Sequence, residues 1–218
     1  MEAEEEDEIQ TISTSKGQVT VKALGPENGA TFIALGGMGR AGCGPDWVAA
    51  GIASHLATRP SPYRVLLPDS YSNPNTSPSL GEFAVVLTIT TIYGLWRGDC
   101  REKWVLDLLP KPTNGKPVVL AGHSWGGGAA ARAAASNPEA VSRLVLISPD
   151  VEWSVARRCW SIPTLLIWSK DDSMNPYFWR TRWSGHPKLT IRTTAKGGHR
   201  VLESHAEIIS QWLEEHDA

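Results

Sequence analysis

Val118-Val119-Leu120-Ala121-Gly122-His123-Ser124-Trp125-Gly126-Gly127-Gly128-Ala129-Ala130 is the stretch on which the reading of this chain turns. A β-branched apolar run feeds without a linker into Gly-x-Ser-x-Gly, and an alanine-rich stretch of helical composition follows at once. A serine so placed sits on a sharp strand-to-helix turn. Side chains two positions to either side would collide there, and Gly122 and Gly126 have none. The helix that begins at this point directs its N–H groups and the positive end of its dipole toward any negative charge that develops at the serine.

Outward from that turn the chain alternates in a regular way. Short, continuous, β-branched runs are expected as strands over residues 18–24, 31–35, 63–67, 117–121, 143–147, 164–168 and 189–193. Runs of this kind read as strands buried on both faces. Helix-like stretches lie between them, over 46–57, 99–108, 125–136, 175–183 and 201–215. This order implies an α/β fold, a doubly wound and mostly parallel sheet of about seven strands with helices on both faces. Residues 68–80, rich in Pro, Ser and Asn, read as a loop leaving the carboxyl end of a strand, where open sheets of this class place their ligands.

With its strand, turn and helix in this order, the Gly122–Gly126 segment resembles the nucleophile elbow of the α/β-hydrolase superfamily, and the resemblance spans roughly residues 18–216. It implies a serine hydrolase with Ser124 as nucleophile, followed in chain order by an acid and then a histidine. Thr164–Trp168 runs into Ser169-Lys170-Asp171-Asp172-Ser173-Met174-Asn175-Pro176, similar to the family's G-x-x-D-x-x-x-P turn. Ser169 stands where glycine is usual, and Asp172 falls at the acid position with Asp171 as its rival. The last strand leads into Gly197-Gly198-His199, which makes His199 the base. His186 precedes that strand and belongs to the opposite end of the sheet, while His55, His205 and His216 lie on expected helices and read as solvent-facing.

Phe32-Ile33-Ala34-Leu35-Gly36-Gly37-Met38-Gly39 is similar to the segment that supplies half of the family's oxyanion hole, with Gly36 where the family usually has His. The resemblance makes the backbone N–H groups of Met38 and Trp125 the donors, with Gly37 or Gly39 as substitutes for Met38. Gly37, His123 and Trp153 are the candidate substrate-facing residues. About sixteen residues separate 147 from 164, too few for the helical cap that many relatives insert there, so no cap domain is expected. Ten tryptophans exceed ordinary usage, and Trp125, Trp153, Trp160, Trp179 and Trp183 fall on segments near the expected rim.

Composition sets the outer limits. Six of the 23 acidic residues lie within the first eight positions, leaving 17 against 21 basic ones, so the remainder carries about +4 although the whole chain is −2. Residues 1–10 read as a disordered acidic tail, and 11–218 as a single domain. A start of this composition is unlike a targeting signal, so a cytoplasmic location is expected. Without Arg/Lys clusters there is no footprint for nucleic acid, and no apolar run reaches the ~20 residues of a membrane span. Three cysteines without a CxxC pair imply neither a disulfide framework nor a metal site. The function expected is hydrolysis of a small acyl ester or thioester through an acyl-enzyme, with no cofactor and no metal. The same residues also serve C–C bond, amide or perhydrolase chemistry, and a silent hydrolase-like binding protein is the reading from another class.

Overall fold

The apolar run in front of Ser124 is a strand, Val118–His123, with all six residues buried. It lies inside a sheet of eight strands among the described residues. The computed structural model describes residues 8–38, 42–69, 101–109 and 115–216. Its strands in chain order are β1 (Glu8–Thr14), β2 (Gly17–Leu24), β3 (Ala30–Leu35), β4 (Tyr63–Pro68), β5 (Val118–His123), β6 (Val141–Ile147), β7 (Thr164–Ser169) and β8 (Leu189–Thr194). Across the sheet they stand in the order β1-β2-β4-β3-β5-β6-β7-β8. Every pair from β4 to β8 is parallel, and β1 and β2 add an antiparallel edge. The carboxyl ends of β3, β5, β6, β7 and β8 therefore open toward one side, and the loops that leave them meet there.

The helices are α1 (Pro45–Ala49), α2 (Ile52–Thr58), α3 (Arg101–Leu108), α4 (Ser124–Ser136), α5 (Trp153–Arg158) and α6 (His205–Glu215). They cover both faces. On one, Trp104, the alanines of α4, Val155 and Trp183 pack on Ile33, Leu120, Leu144 and Leu166. On the other, Trp47, Ile52, Leu56, Ile209 and Trp212 pack on Phe32, Val119, Val145 and Leu165. Neighbouring residues of one strand thus serve opposite layers, which is why the runs are apolar without alternation. No helix among the described residues is long and apolar enough to cross a membrane.

Several expectations change in detail. The eighth strand is β1, which pairs with β2 from Glu8 opposite Ala23 to Thr14 opposite Gly17. Glu8, Ile9 and Gln10 belong to it and not to the acidic tail expected over 1–10. The strand lies at the sheet edge and buries little, so its sequence carries weak alternation. The single helix expected over 46–57 is two, because Gly51 adopts φ 68° between α1 and α2. The stretch after Pro176 is a 3₁₀ helix, Tyr177–Trp183. Residues 1–7, Gly39, most of the loop expected over 68–80 and the start of the helix expected at 99 lie outside the described residues. Cys43 and Cys159 are free thiols, and burial pushes that of Cys159 up to about 12.

His205 is the largest departure from the sequence reading. It is 1% exposed and not solvent-facing, and its Nδ1 accepts the Leu202 N–H at 3.2 Å. Burial pushes its pKa down from the ordinary 6.5 to about 4. Between those pH values the unfolded chain holds a proton here that the folded chain does not, so stability rises with pH across the window and falls on acidification. The difference is worth about 3 kcal/mol at most. His123 and His186 are shifted in the same direction by burial and act with the same sign. Urea unfolding between pH 7 and pH 4 is expected to show a stability loss that His205→Asn reduces, since the Asn carbonyl replaces the Nδ1 acceptor without taking up a proton. An unchanged slope in that variant would remove His205 from the account.

Candidate active site

Ser124 is the first residue of α4 and has φ 52°, in a region where a side chain is strained. The two glycines around it have steric reasons. A Cβ on Gly122 would stand 2.3 Å from the Gly126 carbonyl oxygen, and one on Gly126 would stand 2.4 Å from the Gly36 carbonyl oxygen. The first turn of α4 thus packs directly on the backbone at the exit of β3. That contact sets the first turn of the helix, which includes Trp125, against Leu35 and Gly36.

His199 lies in the loop after β8 and reaches back over this turn. Its Nε2 is 2.7 Å from Ser124 Oγ, and its Nδ1 is 2.9 Å from Asp172 Oδ2 and 3.1 Å from Oδ1. With the carboxylate against Nδ1, that nitrogen carries the proton and Nε2 accepts from the serine hydroxyl. Asp172 is buried, and its Oδ1 also accepts the N–H groups of Met174 at 3.0 Å and Asn175 at 2.9 Å. Burial alone would push its carboxyl up, but hydrogen bonds from His199, Ser148 and Asn175 outweigh burial and hold it below the ordinary carboxylate value. The carboxylate stays charged where an imidazolium would form.

Asp171, the rival acid, points elsewhere and has its own task. Its carboxylate accepts the N–H groups of Gly197 at 3.3 Å and Gly198 at 2.8 Å. It moors the loop that carries His199. Gly197 has φ 146°, and a Cβ there would meet Leu202 Cδ1 at 2.7 Å and Ser169 Oγ at 2.8 Å. Ser169, the departure from the family's usual glycine, spans 2.7 Å to Thr194 Oγ1 and ties the ends of β7 and β8 together. The substitution is thus accommodated by a glycine on the facing loop.

At the exit of β3, helix α1 holds the backbone in two places. Trp47 Nε1 donates to the Leu35 carbonyl at 3.1 Å, and Asp46 Oδ2 accepts the Gly37 N–H at 3.4 Å. The same Asp46 oxygen lies 3.1 Å from His123 Nδ1. His123 is buried beside the serine, with its ring centroid 5.0 Å from that of His199. Since the Gly37 N–H is directed at Asp46, Met38 is the donor candidate left among the described residues of this segment.

The tryptophans divide. Trp125 and Trp183 are core residues at 3% and 1% exposure, so a ring contact from either to substrate is not supported. Trp153 is 53% exposed on α5, with the Arg157 guanidinium 4.5 Å over its ring. His186 is buried against Thr164, the first residue of β7, at the amino ends of the strands and away from Ser124. The sequence reading missed Asp46, Ser148 and Asn175. Asp46 follows a proline at a helix start, a position where an acid reads as ordinary helix-end chemistry. Asn175 Nδ2 donates to the Ser148 carbonyl at 2.7 Å, a contact between segments distant in the chain that no local signal marks. Among the described residues no group of three or more His, Cys, Asp or Glu is placed to hold a metal ion.

A family model described as the alpha/beta hydrolase fold matches residues 38–161, more than half of the chain, and the chain belongs to that family. Solved structures agree in fold. A predicted CIB-like hydrolase from Thermoplasma acidophilum superposes with a TM-score of 0.71 at 19% identity, covering 96% of this chain and 100% of the other. Naproxen esterase (carboxylesterase NP) from Bacillus subtilis gives 0.65 at 15% identity, with 96% and 91% covered. The thioesterase domain from the curacin biosynthetic pathway gives 0.64 at 12% identity, with 96% and 99% covered. No curated protein sequence matches the chain. The interval from Ile147 to Thr164 holds only the six-residue helix α5, with no cap domain in that interval.

Proposed function

We propose that this α/β hydrolase is a serine esterase or thioesterase that works through an acyl-enzyme. The observation that carries the reading is the hydrogen-bonded chain from Ser124 Oγ through His199 to Asp172, at 2.7 and 2.9 Å. Ser124 attacks the acyl carbon while His199 Nε2 takes its proton. Asp172 fixes the ring and stabilises the imidazolium. The backbone N–H groups of Met38 and Trp125 receive the oxyanion, each contributing on the order of 3–4 kcal/mol to the transition state. His199 then protonates the leaving oxygen or sulfur, and the same residues activate water to release the acid. The esterase and thioesterase among the structural neighbours support an ester or thioester substrate.

A fluorophosphonate probe is expected to label the wild-type chain at one residue, identified as Ser124 by peptide mapping, and to leave Ser124→Ala unlabelled. Short p-nitrophenyl esters and acyl thioesters compared with matched anilides rank the bond cleaved. Labelling that persists in Ser124→Ala ends the assignment, and a rate on the anilides that exceeds the esters moves it to amide chemistry.

A further inference from the structure

Helix α1 contributes no atom to the proposed reaction, yet its Asp46 stands between the two parts of the site that must be held most exactly. One carboxylate oxygen, Oδ2, receives the Gly37 N–H at 3.4 Å and lies 3.1 Å from His123 Nδ1. Gly37 is the residue before Met38, the proposed oxyanion donor. His123 is the residue before Ser124, and its ring packs 5.0 Å from that of His199 at an interplanar angle of 41°. The packing allows no slack on the Gly37 side. A Cβ on Gly37 would stand 2.9 Å from His123 Nδ1 and 3.3 Å from Asp46 Oδ2, so the backbone of the β3 exit rests directly on the pair.

The chemistry of the pair is one-sided. A carboxylate accepts only, so His123 places its proton on Nδ1 and keeps Nε2 as a bare acceptor. That Nε2 is buried and has no hydrogen-bond partner among the described residues, and the His123 side chain is 7% exposed. Nothing but Asp46 therefore sets the tautomer of this ring through a hydrogen bond among the described residues. Burial keeps His123 neutral by pushing its pKa down, against the pull of Asp46. A neutral ring beside His199 spares the imidazolium formed there the repulsion of a second cation.

We propose that Asp46 is a positioning residue for the reaction, holding the oxyanion segment through Gly37 and the ring next to the catalytic base through His123. Resting on the serine-hydrolase reading above, this adds to it a residue 78 positions before Ser124 in the chain. Because the oxyanion forms only after attack, a displaced Met38 amide costs turnover and leaves ground-state binding nearly as it was.

The test is kinetic and spectroscopic, on the full chain. With p-nitrophenyl acetate, Asp46→Ala is expected to lower kcat by about tenfold or more with KM within about twofold, the response to a donor moved by a fraction of an ångström. Asp46→Asn, whose amide oxygen still accepts, is expected to regain most of that loss. His123→Phe keeps a ring of similar size and removes Nδ1. Combined with Asp46→Ala it is expected to cost no more than the worse single variant, because the two act as one unit. Long-range ¹H–¹⁵N spectra of the histidine rings, which need no turnover, are expected to show His123 with its proton on Nδ1 in the wild type and in Ser124→Ala, and on Nε2 in Asp46→Ala. A raised KM at unchanged kcat, single losses that multiply in the double variant, no rescue by Asn, or a His123 tautomer indifferent to Asp46 would each overturn the proposal. Should the wild type cleave no ester at all, the serine-hydrolase reading falls instead, and the ring spectra still decide whether Asp46 sets His123.

Discussion

Ser124→Ala is expected to lower kcat on p-nitrophenyl acetate by about 10⁶, with His199→Ala nearly as severe and the double variant no worse than either. The three outcomes belong together. Once the hydroxyl or its base is gone, acylation stops, and removing the second partner takes nothing more away. What remains is water attack assisted by the oxyanion donors. Stability should move the other way. Ser124 is held at φ 52°, where a Cβ is strained, and Gly122 and Gly126 surround it for steric reasons. Ser124→Gly removes both the hydroxyl and the strain, and is expected to be as inactive as Ser124→Ala while gaining about 1 kcal/mol in urea unfolding. An inactive and stabilised variant is the mark of a conformation retained for its chemistry. If Ser124→Gly is destabilised by that amount, or if Ser124→Ala keeps more than about 1% of the wild-type kcat, the nucleophile has been misplaced.

How far the site was legible follows from how each part is encoded. The central strands are buried on both faces, so β5, β6 and β7 announce themselves as unbroken apolar runs and were read within two residues of their ends. The serine, the second aspartate and the histidine sit at the ends of such strands, and a strand end is a local signal. Ser124, Asp172 and His199 are 48 and 27 residues apart in the chain, and the parallel order β5-β6-β7-β8 brings them to one side. Edge and cross-chain features were not legible. β1 gains its pairing from β2 and little burial of its own, so Glu8–Thr14 carries almost no apolar pattern. His205 stands four residues before Ile209 and eight before Leu213, on the stripe that α6 buries against the sheet, and its polar ring rather than its spacing suggested a solvent-facing position. Asp46 is hidden for another reason. Its partners Gly37 and His123 are nine and 77 residues away, and no spacing rule joins an acid in a first helical turn to a histidine before a serine.

Asp172→Asn is expected to lower kcat by about 10⁴, and Asp171→Ala by only about tenfold, which separates two neighbouring acids that sequence spacing alone left in competition. Each number follows from what the carboxylate touches. Asp172 lies 2.9 Å from His199 Nδ1, and its other oxygen is held by the amides of Met174 and Asn175. In Asp172→Asn the amide NH₂ can turn toward Nδ1, which drives the ring proton to Nε2, where it faces the serine hydroxyl as a donor and can no longer accept. The charge that would stabilise the imidazolium is lost in the same step. Asp171 makes no contact with the ring; it accepts the Gly197 and Gly198 amides at 3.3 and 2.8 Å, so its loss loosens the loop that delivers His199 and leaves tautomer and charge intact. The two variants should also differ with pH. The Asp172 carboxyl is held below its ordinary value by its hydrogen bonds, so the wild type keeps the charged partner down to acid pH, and Asp171→Ala should retain that acid limb. In Asp172→Asn that carboxyl is absent, so the part of the acid limb set by its protonation should be lost. A profile unmoved by Asp172→Asn, or a larger kcat loss in Asp171→Ala, would hand the acid's role to Asp171 and require the loop to rearrange by more than its two amide hydrogen bonds allow.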